Sequence, residues 1–182
     1  MEWLIGLVGV VIGVVLSWWT GRYETGRARK RAAEYLGRRI AFALDDLVFA
    51  CAEVATGPAP HDYGDPRPVS LLPTCVALPE DGEWSALVPE DAESTMRIAA
   101  RVRLTAKRVK DTAVVADVED ADAVARDEYT KIGLAADVLS AKFRERYKIG
   151  ARESIGTWDP VEDLRRVRDR IDARSRESHP PL

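Results

Sequence analysis

The sequence predicts an all-α protein: a single N-terminal transmembrane helix, then an antiparallel helical bundle of about four helices with one long proline-rich loop. Three observations predict it. Trp3 to Trp19 reads WLIGLVGVVIGVVLSWW and carries no charge. Beyond it, apolar residues recur at steps of three and four in three separate stripes, the period of an α-helix with one buried face. Between the first two stripes six prolines fall within residues 57–88, and prolines at that density interrupt any helix.

The apolar stretch comes first. At the helical rise it spans roughly 25 Å, within the range of one bilayer crossing. Trp3 opens it and Trp18 and Trp19 close it, where interfacial aromatics belong. A cleavable signal peptide would need a basic start and a small-residue cleavage site. This chain begins Met1-Glu2 and the run ends Ser-Trp-Trp-Thr. A buried core helix seldom goes so long without a charge. The flank sets orientation: Arg22, Arg27, Arg29, Lys30 and Arg31 follow the span closely, with Arg38 and Arg39 behind them. Cations resist translocation, so the expected protein is single-pass in the cell membrane, N-terminus outside and C-terminus cytoplasmic. The same cations attract anionic headgroups. Gly9 and Gly13 form a GxxxG with Gly6 on nearly the same face, a surface on which two spans can pack.

The remaining chain is long enough for one modest domain. Its expected divisions are 1–20, a signal-anchor; 21–56, a basic juxtamembrane segment and first cytoplasmic helix; 57–88, the proline-rich loop; 89–150, a helical hairpin; and 151–182, a connector, a charged helix and a tail. Net charge is −3 with 31% of residues charged, so nucleic acid is not an expected partner. Arginine outnumbers lysine 21 to 6, the signature of a GC-rich bacterial coding sequence. Cys51 and Cys75 make no disulfide framework and read as free thiols in a cytoplasmic domain.

The first stripe is Ala33, Leu36, Ile40, Ala43, Leu47, Ala50 and Val54, widened by Leu44 and Cys51. It predicts a helix from about Tyr23 to Ala55, continuous with the span unless Gly21 or Gly26 weakens it. Gly57 and Pro58 stop it. In the loop, GPAPHDYGDPRP is polar, whereas VSLLPTCVALP is apolar and belongs against the bundle, with Trp84 and Leu87.

Pro89 followed by Glu90, Asp91 and Glu93 is a helix start. Thr95, Ile98, Val102, Thr105, Val109, Thr112 and Ala116 keep one register; Ala121, Ala125, Tyr129, Ile132, Ala136, Leu139 and Phe143 begin another. The break predicts a turn at about Asp117 to Asp120, with one continuous two-faced helix as the alternative. Charge favours the hairpin: Arg108 and Lys110 would face Asp127 and Glu128, and Glu90, Asp91 and Glu93 would face Arg144, Arg146 and Lys148. Gly150 should end the third helix. Asp159-Pro160-Val161-Glu162 then reads as a cap and first turn. Val161, Leu164, Val167 and Ile171 form a thin stripe on the last helix. Its outer face interleaves Arg165, Arg166, Arg168, Arg170, Arg174 and Arg176 with Asp163, Asp169 and Asp172. That face reads as solvated and internally paired, the alternative being a surface for an acidic partner.

Chemistry-bearing motifs are sparse. His61-Asp62 with Asp65 is a surface-loop cluster short of a metal ligand set. Asp45 and Asp46 are neighbours on a helix and diverge by about 100°, so they read as an exposed, arginine-paired dipeptide rather than a shared site. No phosphate loop, nucleophile elbow, CxxC or HExxH occurs. No catalytic residue, cofactor or metal is therefore expected. The function expected is a membrane-anchored interaction or scaffold protein, its partners the lipid bilayer, a second copy of the chain and a protein recruited by the bundle. The alternatives are a pore- or lesion-forming oligomer, disfavoured by a span whose only polar side chain is Ser17, and, with reversed topology, a periplasmic envelope spacer.

Overall fold

A computed structural model describes residues 2–57, 72–116, 118–152 and 156–178, with side chains for 25–57, 72–116, 119–152 and 156–177. Four helices form it: α1 Glu2–Thr56, α2 Pro89–Val115, α3 Val118–Arg146 and α4 Pro160–Ser178. A 3-10 turn, Trp84–Ala86, precedes α2. No described residue forms a β-strand, so the chain is an all-α bundle. Among the described residues no helix is long and apolar enough to cross a membrane. The expected span, with Gly6, Gly9, Gly13, Trp3, Trp18, Trp19 and the adjoining Arg22, falls on residues 2–24, whose side chains lie outside those described.

The core lies between α1 and α3. Every member of the third stripe, from Ala121 to Phe143, is buried. On α1 the stripe is wider than its heptad spacing implies. Ala41, Val48, Ala52 and Ala55 are buried along with Leu36, Ile40, Leu44, Leu47, Cys51 and Val54. The reason is that α1 is covered on several sides: by α3, by α4 and by the segment 72–88. Full burial of each large aliphatic side chain contributes about 1.5–3 kcal/mol. Three helices meet closely at Gly133 of α3, where a β-carbon would stand 2.7 Å from Leu164 Cδ1 of α4 and 2.8 Å from Cys51 Cβ of α1.

The segment 72–88 runs back along α1 as a strap. Leu72, Pro79 and Leu87 are buried. Tyr129 Oη donates to the Pro73 carbonyl at 2.5 Å, Arg39 pairs with Asp81 at 2.7 Å, Gly82 sits on Leu36, and Arg29 donates to the Ser85 carbonyl at 2.8 Å. The apolar half of the loop thus lies on the bundle. His61, Asp62 and Asp65 lie outside the described residues.

α2 and α3 are separate helices, not one. The turn is tighter than expected: α2 ends at Val115 and α3 begins at Val118, so Asp120 lies within the first turn of α3. The hairpin charges meet in part as expected. Glu128 takes Arg101 at 3.5 Å and Arg108 at 3.7 Å. At the other end Asp91, fully buried, receives Lys142 at 2.9 Å and Arg146. Arg144 turns instead to α1.

Gly150 does not end α3. The helix stops at Arg146, and Lys148 takes the left-handed position with φ 52°. Ile149 N–H closes on the Arg144 carbonyl at 2.9 Å and Lys148 N–H on that of Glu145 at 3.4 Å, the paired bonds of a Schellman cap. At α4 the expected cap is present: Asp159 Oδ1 accepts from Val161 N–H at 2.9 Å and Glu162 N–H at 3.2 Å.

Candidate functional site

Two built features stand out, a buried ionic cluster and an open trough. The cluster is centred on Asp45, 5% exposed. The reading of Asp45-Asp46 as an exposed pair is therefore corrected. Asp46 is exposed, but Asp45 is sealed between α1, α3 and the connector. Its carboxylate accepts from Ser140 Oγ at 2.7 Å, from Arg152 Nε at 2.7 Å and from Arg144. Arg152 also reaches Asp137 at 3.0 Å, and Arg144 donates to the Gly150 carbonyl. Two cations face two carboxylates, so the cluster is neutral, although the buried Arg144 Nε has no hydrogen-bond partner among the described residues. It fastens the connector onto α1 and α3 and offers no free group for chemistry. The arginine pairing of Asp45 was legible in the sequence; its burial was not, because its partners lie 95 to 107 residues away.

Cys51 is buried, and burial pushes its thiol up to about 12. A thiol held neutral is a poor nucleophile. Burial, with Cys51 beside it, likewise pushes Tyr129 up to about 12. Among the described residues no three His, Cys, Asp or Glu side chains converge to hold a metal ion.

The trough lies over α3. α2 and α4 both pack on α3, and between them two adjoining cavities of about 380 and 500 Å³ share Arg101, Ala135 and Val138. The first has an apolar floor of Ile98, Ile132, Ala135, Val138 and Leu139, and its only charged lining residues are Arg97, Arg101 and Lys142. The second runs to the α4 wall of Arg168, Ile171 and Asp172. Val138 stands between them, 70% exposed. Of the eight large apolar side chains exposed among the described residues, Val88, Met96, Leu104, Val114 and Val115 lie on or beside α2 and Val138 in the trough. The exposed apolar side chains are thus concentrated on α2 and its flank, with Val138 in the trough.

The sequence stripes pointed inward and so missed this face. The available signal was apolar residues off the stripe, at Leu104, Val114, Val115 and Val138. Of the expected juxtamembrane cations, Arg27, Arg29, Lys30 and Arg31 are exposed on α1. Lys30 approaches Glu34 at 3.9 Å. Comparison of the chain with family models, with curated proteins and with solved structures finds no match.

Proposed function

We propose that the chain is a membrane-anchored helical scaffold, without catalysis, that presents its bundle to protein partners at the cytoplasmic face. The observation that carries the reading is the continuity of α1 from Glu2 to Thr56. The apolar stretch 3–19 and the core-forming residues from Leu36 onward belong to one helix. At the helical rise Leu36 lies about 25 Å beyond Trp19. A span at 3–19 would therefore hold the bundle off the bilayer on a stalk and align its axis near the membrane normal. The exposed cations Arg27, Arg29, Lys30 and Arg31 occupy that stalk, where both anionic headgroups and the orientation bias act. The glycine face Gly6, Gly9 and Gly13 would let two spans pair.

Fractionation and fusion reporters test this. The full chain should resist carbonate extraction, and a chain beginning at residue 21 should not. A C-terminal fluorescent protein should be bright and a C-terminal alkaline phosphatase silent. The opposite pair of fusion results would turn the reading into that of an envelope spacer. Loss of membrane potential on expression, abolished by Gly9→Leu with Gly13→Leu, would replace the scaffold by a pore.

A further inference from the structure

We infer that the outer face of α1 pairs with the same face of a second copy of the chain, the two helices lying antiparallel about Phe42. The inference goes beyond the scaffold reading and does not need it. α3, α4 and the strap cover the other sides of α1. Between the strap and the connector one face stays open, bordered by a hollow on either side. Tyr35, Phe42 and Phe49 recur on it every seven residues. Tyr35 is 64% and Phe42 50% exposed, and Phe49 is partly buried against Trp158. Arg39 lies over the Tyr35 ring and Arg144 over the Phe42 ring, each at 5.6 Å, so both exposed rings are steadied from one side.

Charge sets the direction and the register. Arg31 and Arg38 share this face toward its N-terminal end, and Asp46 and Glu53 toward its C-terminal end. At the helical period these positions and the three aromatics fall within an arc of about 80°. All four charged side chains are exposed, and none forms an ion pair or a side-chain hydrogen bond among the described residues. Nearby charges are engaged instead, Arg39 by Asp81 and Arg144 by Asp45. The spacing is symmetric about Phe42 and the charge reverses across it. Asp46 lies four residues after Phe42 and Arg38 four before; Glu53 lies eleven after and Arg31 eleven before. Antiparallel about Phe42, each Arg38 therefore meets the partner's Asp46, each Arg31 the partner's Glu53 and each Tyr35 the partner's Phe49. The two Phe42 rings meet on the axis. Every contact but that one occurs twice, as a two-fold interface requires. Glu80 shares an open hollow of about 690 Å³ with Phe42 and Asp46, and adds to the carboxylate that the partner's Arg38 meets.

Other arrangements fit less well. A parallel pair would set each of the four charges against its own equivalent. An anionic surface, bilayer or nucleic acid, would be drawn to Arg31 and Arg38 and repelled by Asp46 and Glu53 on the same line. For an anchored chain the pairing has a further consequence. The two N-termini leave it at opposite ends, so copies spanning one bilayer cannot meet this way. α1 is continuous, and at the helical rise Phe42 lies about 35 Å beyond Trp19. Anchored copies would therefore join two facing bilayers, with their Trp19 levels roughly 70 Å apart.

The test uses the full chain with Cys75→Ser, which leaves the buried Cys51 as its native thiol. Ala28 and Thr56 lie exposed near the two ends of the face, fourteen residues before and after Phe42. Ala28→Cys and Thr56→Cys chains are made separately, mixed in detergent micelles and treated with a flexible bismaleimide. The mixture should give a dimer cross-linked between positions 28 and 56. Ala28→Cys by itself should give none, because antiparallel copies hold that position about 42 Å from its equivalent. Arg38→Glu or Asp46→Arg, added to both chains, should raise the concentration for half-maximal cross-linking about tenfold or more. The two reversals together should restore it, and Phe42→Glu should abolish the cross-link. These positions are exposed, so the variants should keep the wild-type helical circular dichroism. The inference is overturned if the mixture gives no cross-link, if Ala28→Cys cross-links to itself as a parallel pair would, or if the single reversals behave as wild type. It is also overturned if the double reversal fails to recover. Vesicles carrying the full chain should cluster and those carrying Phe42→Glu should stay dispersed; cross-linking in micelles without clustering overturns the joining of bilayers. Carbonate extraction reads the anchor separately. A chain that cross-links but is extracted refutes anchoring alone, and one that stays in the membrane without cross-linking refutes the pair alone.

Discussion

Asp45 and Ser140 meet across the α1–α3 interface, the serine hydroxyl donating to the carboxylate at 2.7 Å while two arginines close on the same group. The serine comes from the last third of α3, whereas Arg144 comes from its last turn and Arg152 from the connector. One carboxylate therefore ties α1, α3 and the path to α4 together. Asp45→Ala leaves the partly buried Arg144 guanidinium without its anion and Arg152 with Asp137 alone. Breaking a buried pair from one side costs about 3–5 kcal/mol, and urea unfolding should show a loss of that order. Asp45→Asn keeps an acceptor and should cost less, about 1–3 kcal/mol. In both variants trypsin should cut after Arg152 sooner than in the wild type, because the connector has lost its fastening. An unchanged digestion pattern would mean that Trp158, packed at a tilt against Phe49 with ring centroids 5.7 Å apart, holds the connector by itself.

Gly133 and Gly26 should respond to alanine differently. Helix propensity favours alanine at either position by about 1 kcal/mol. At Gly133 the new methyl group meets Cys51 Cβ at 2.8 Å, and a β-carbon cannot swing away as a side-chain tip can. Overpacking of this kind costs about 1–3 kcal/mol, so Gly133→Ala should lower the thermal midpoint. Gly26 has nothing within 4 Å of the added carbon. Gly26→Ala should leave the bundle midpoint unchanged and slow backbone hydrogen exchange on the stalk.

These contrasts mark what the sequence could convey. The stripe on α3 was legible residue by residue because α3 has one dry face for its whole length and the 3.6 period reports that directly. Pro89 and Asp159 were legible because helix starts are local chemistry. On α1 periodicity understated burial, since a helix covered on several sides buries Ala41, Val48 and Ala52 between the stripes. Asp45 looked like a surface acid for the same reason. The end of α3 was misassigned to Gly150 because the residue in the left-handed region is a lysine, where glycine is the usual signal. The trough was not legible, since it depends on where α2 and α4 leave α3 bare, a property of tertiary placement alone.

Alkaline pH should destabilise the fold in a defined window. Burial pushes the Cys51 thiol from its ordinary 9.0 up to about 12. Burial and then the neighbouring Cys51 push the Tyr129 phenol from 10.0 up to about 12. The unfolded chain gives up both protons first. The stability gained by keeping these groups neutral is therefore whole below pH 9 and is lost as pH rises toward 12. Urea midpoints followed from pH 8 to 11.5 should fall across that range. Tyr129→Phe should remove the share that begins near pH 10. It should also cost about 0.5–1.5 kcal/mol at neutral pH through the lost bond to the Pro73 carbonyl. Under native conditions a thiol reagent should label the exposed Cys75 and spare Cys51 until the protein unfolds.

The cap of α3 makes a prediction in the stabilising direction. Lys148 holds φ 52°, where a side chain crowds its own backbone and costs roughly 1–2 kcal/mol relative to the right-handed region. What holds it there is the cap itself: two backbone bonds, from Ile149 to Arg144 and from Lys148 to Glu145, and Ile149 packed against the core. The lysine side chain is exposed and makes no ion pair among the described residues. Lys148→Gly should therefore keep both cap bonds and relieve the crowding. Glycine's greater freedom in the unfolded chain takes back part of the gain, roughly 0.5–1 kcal/mol. The expected net is a stabilisation of a few tenths to about 1 kcal/mol, read as a higher urea midpoint at unchanged slope. Lys148→Val is the control. It places a β-branched residue in the same conformation and should destabilise, so a similar response to glycine and valine would show that the left-handed position is not maintained in solution.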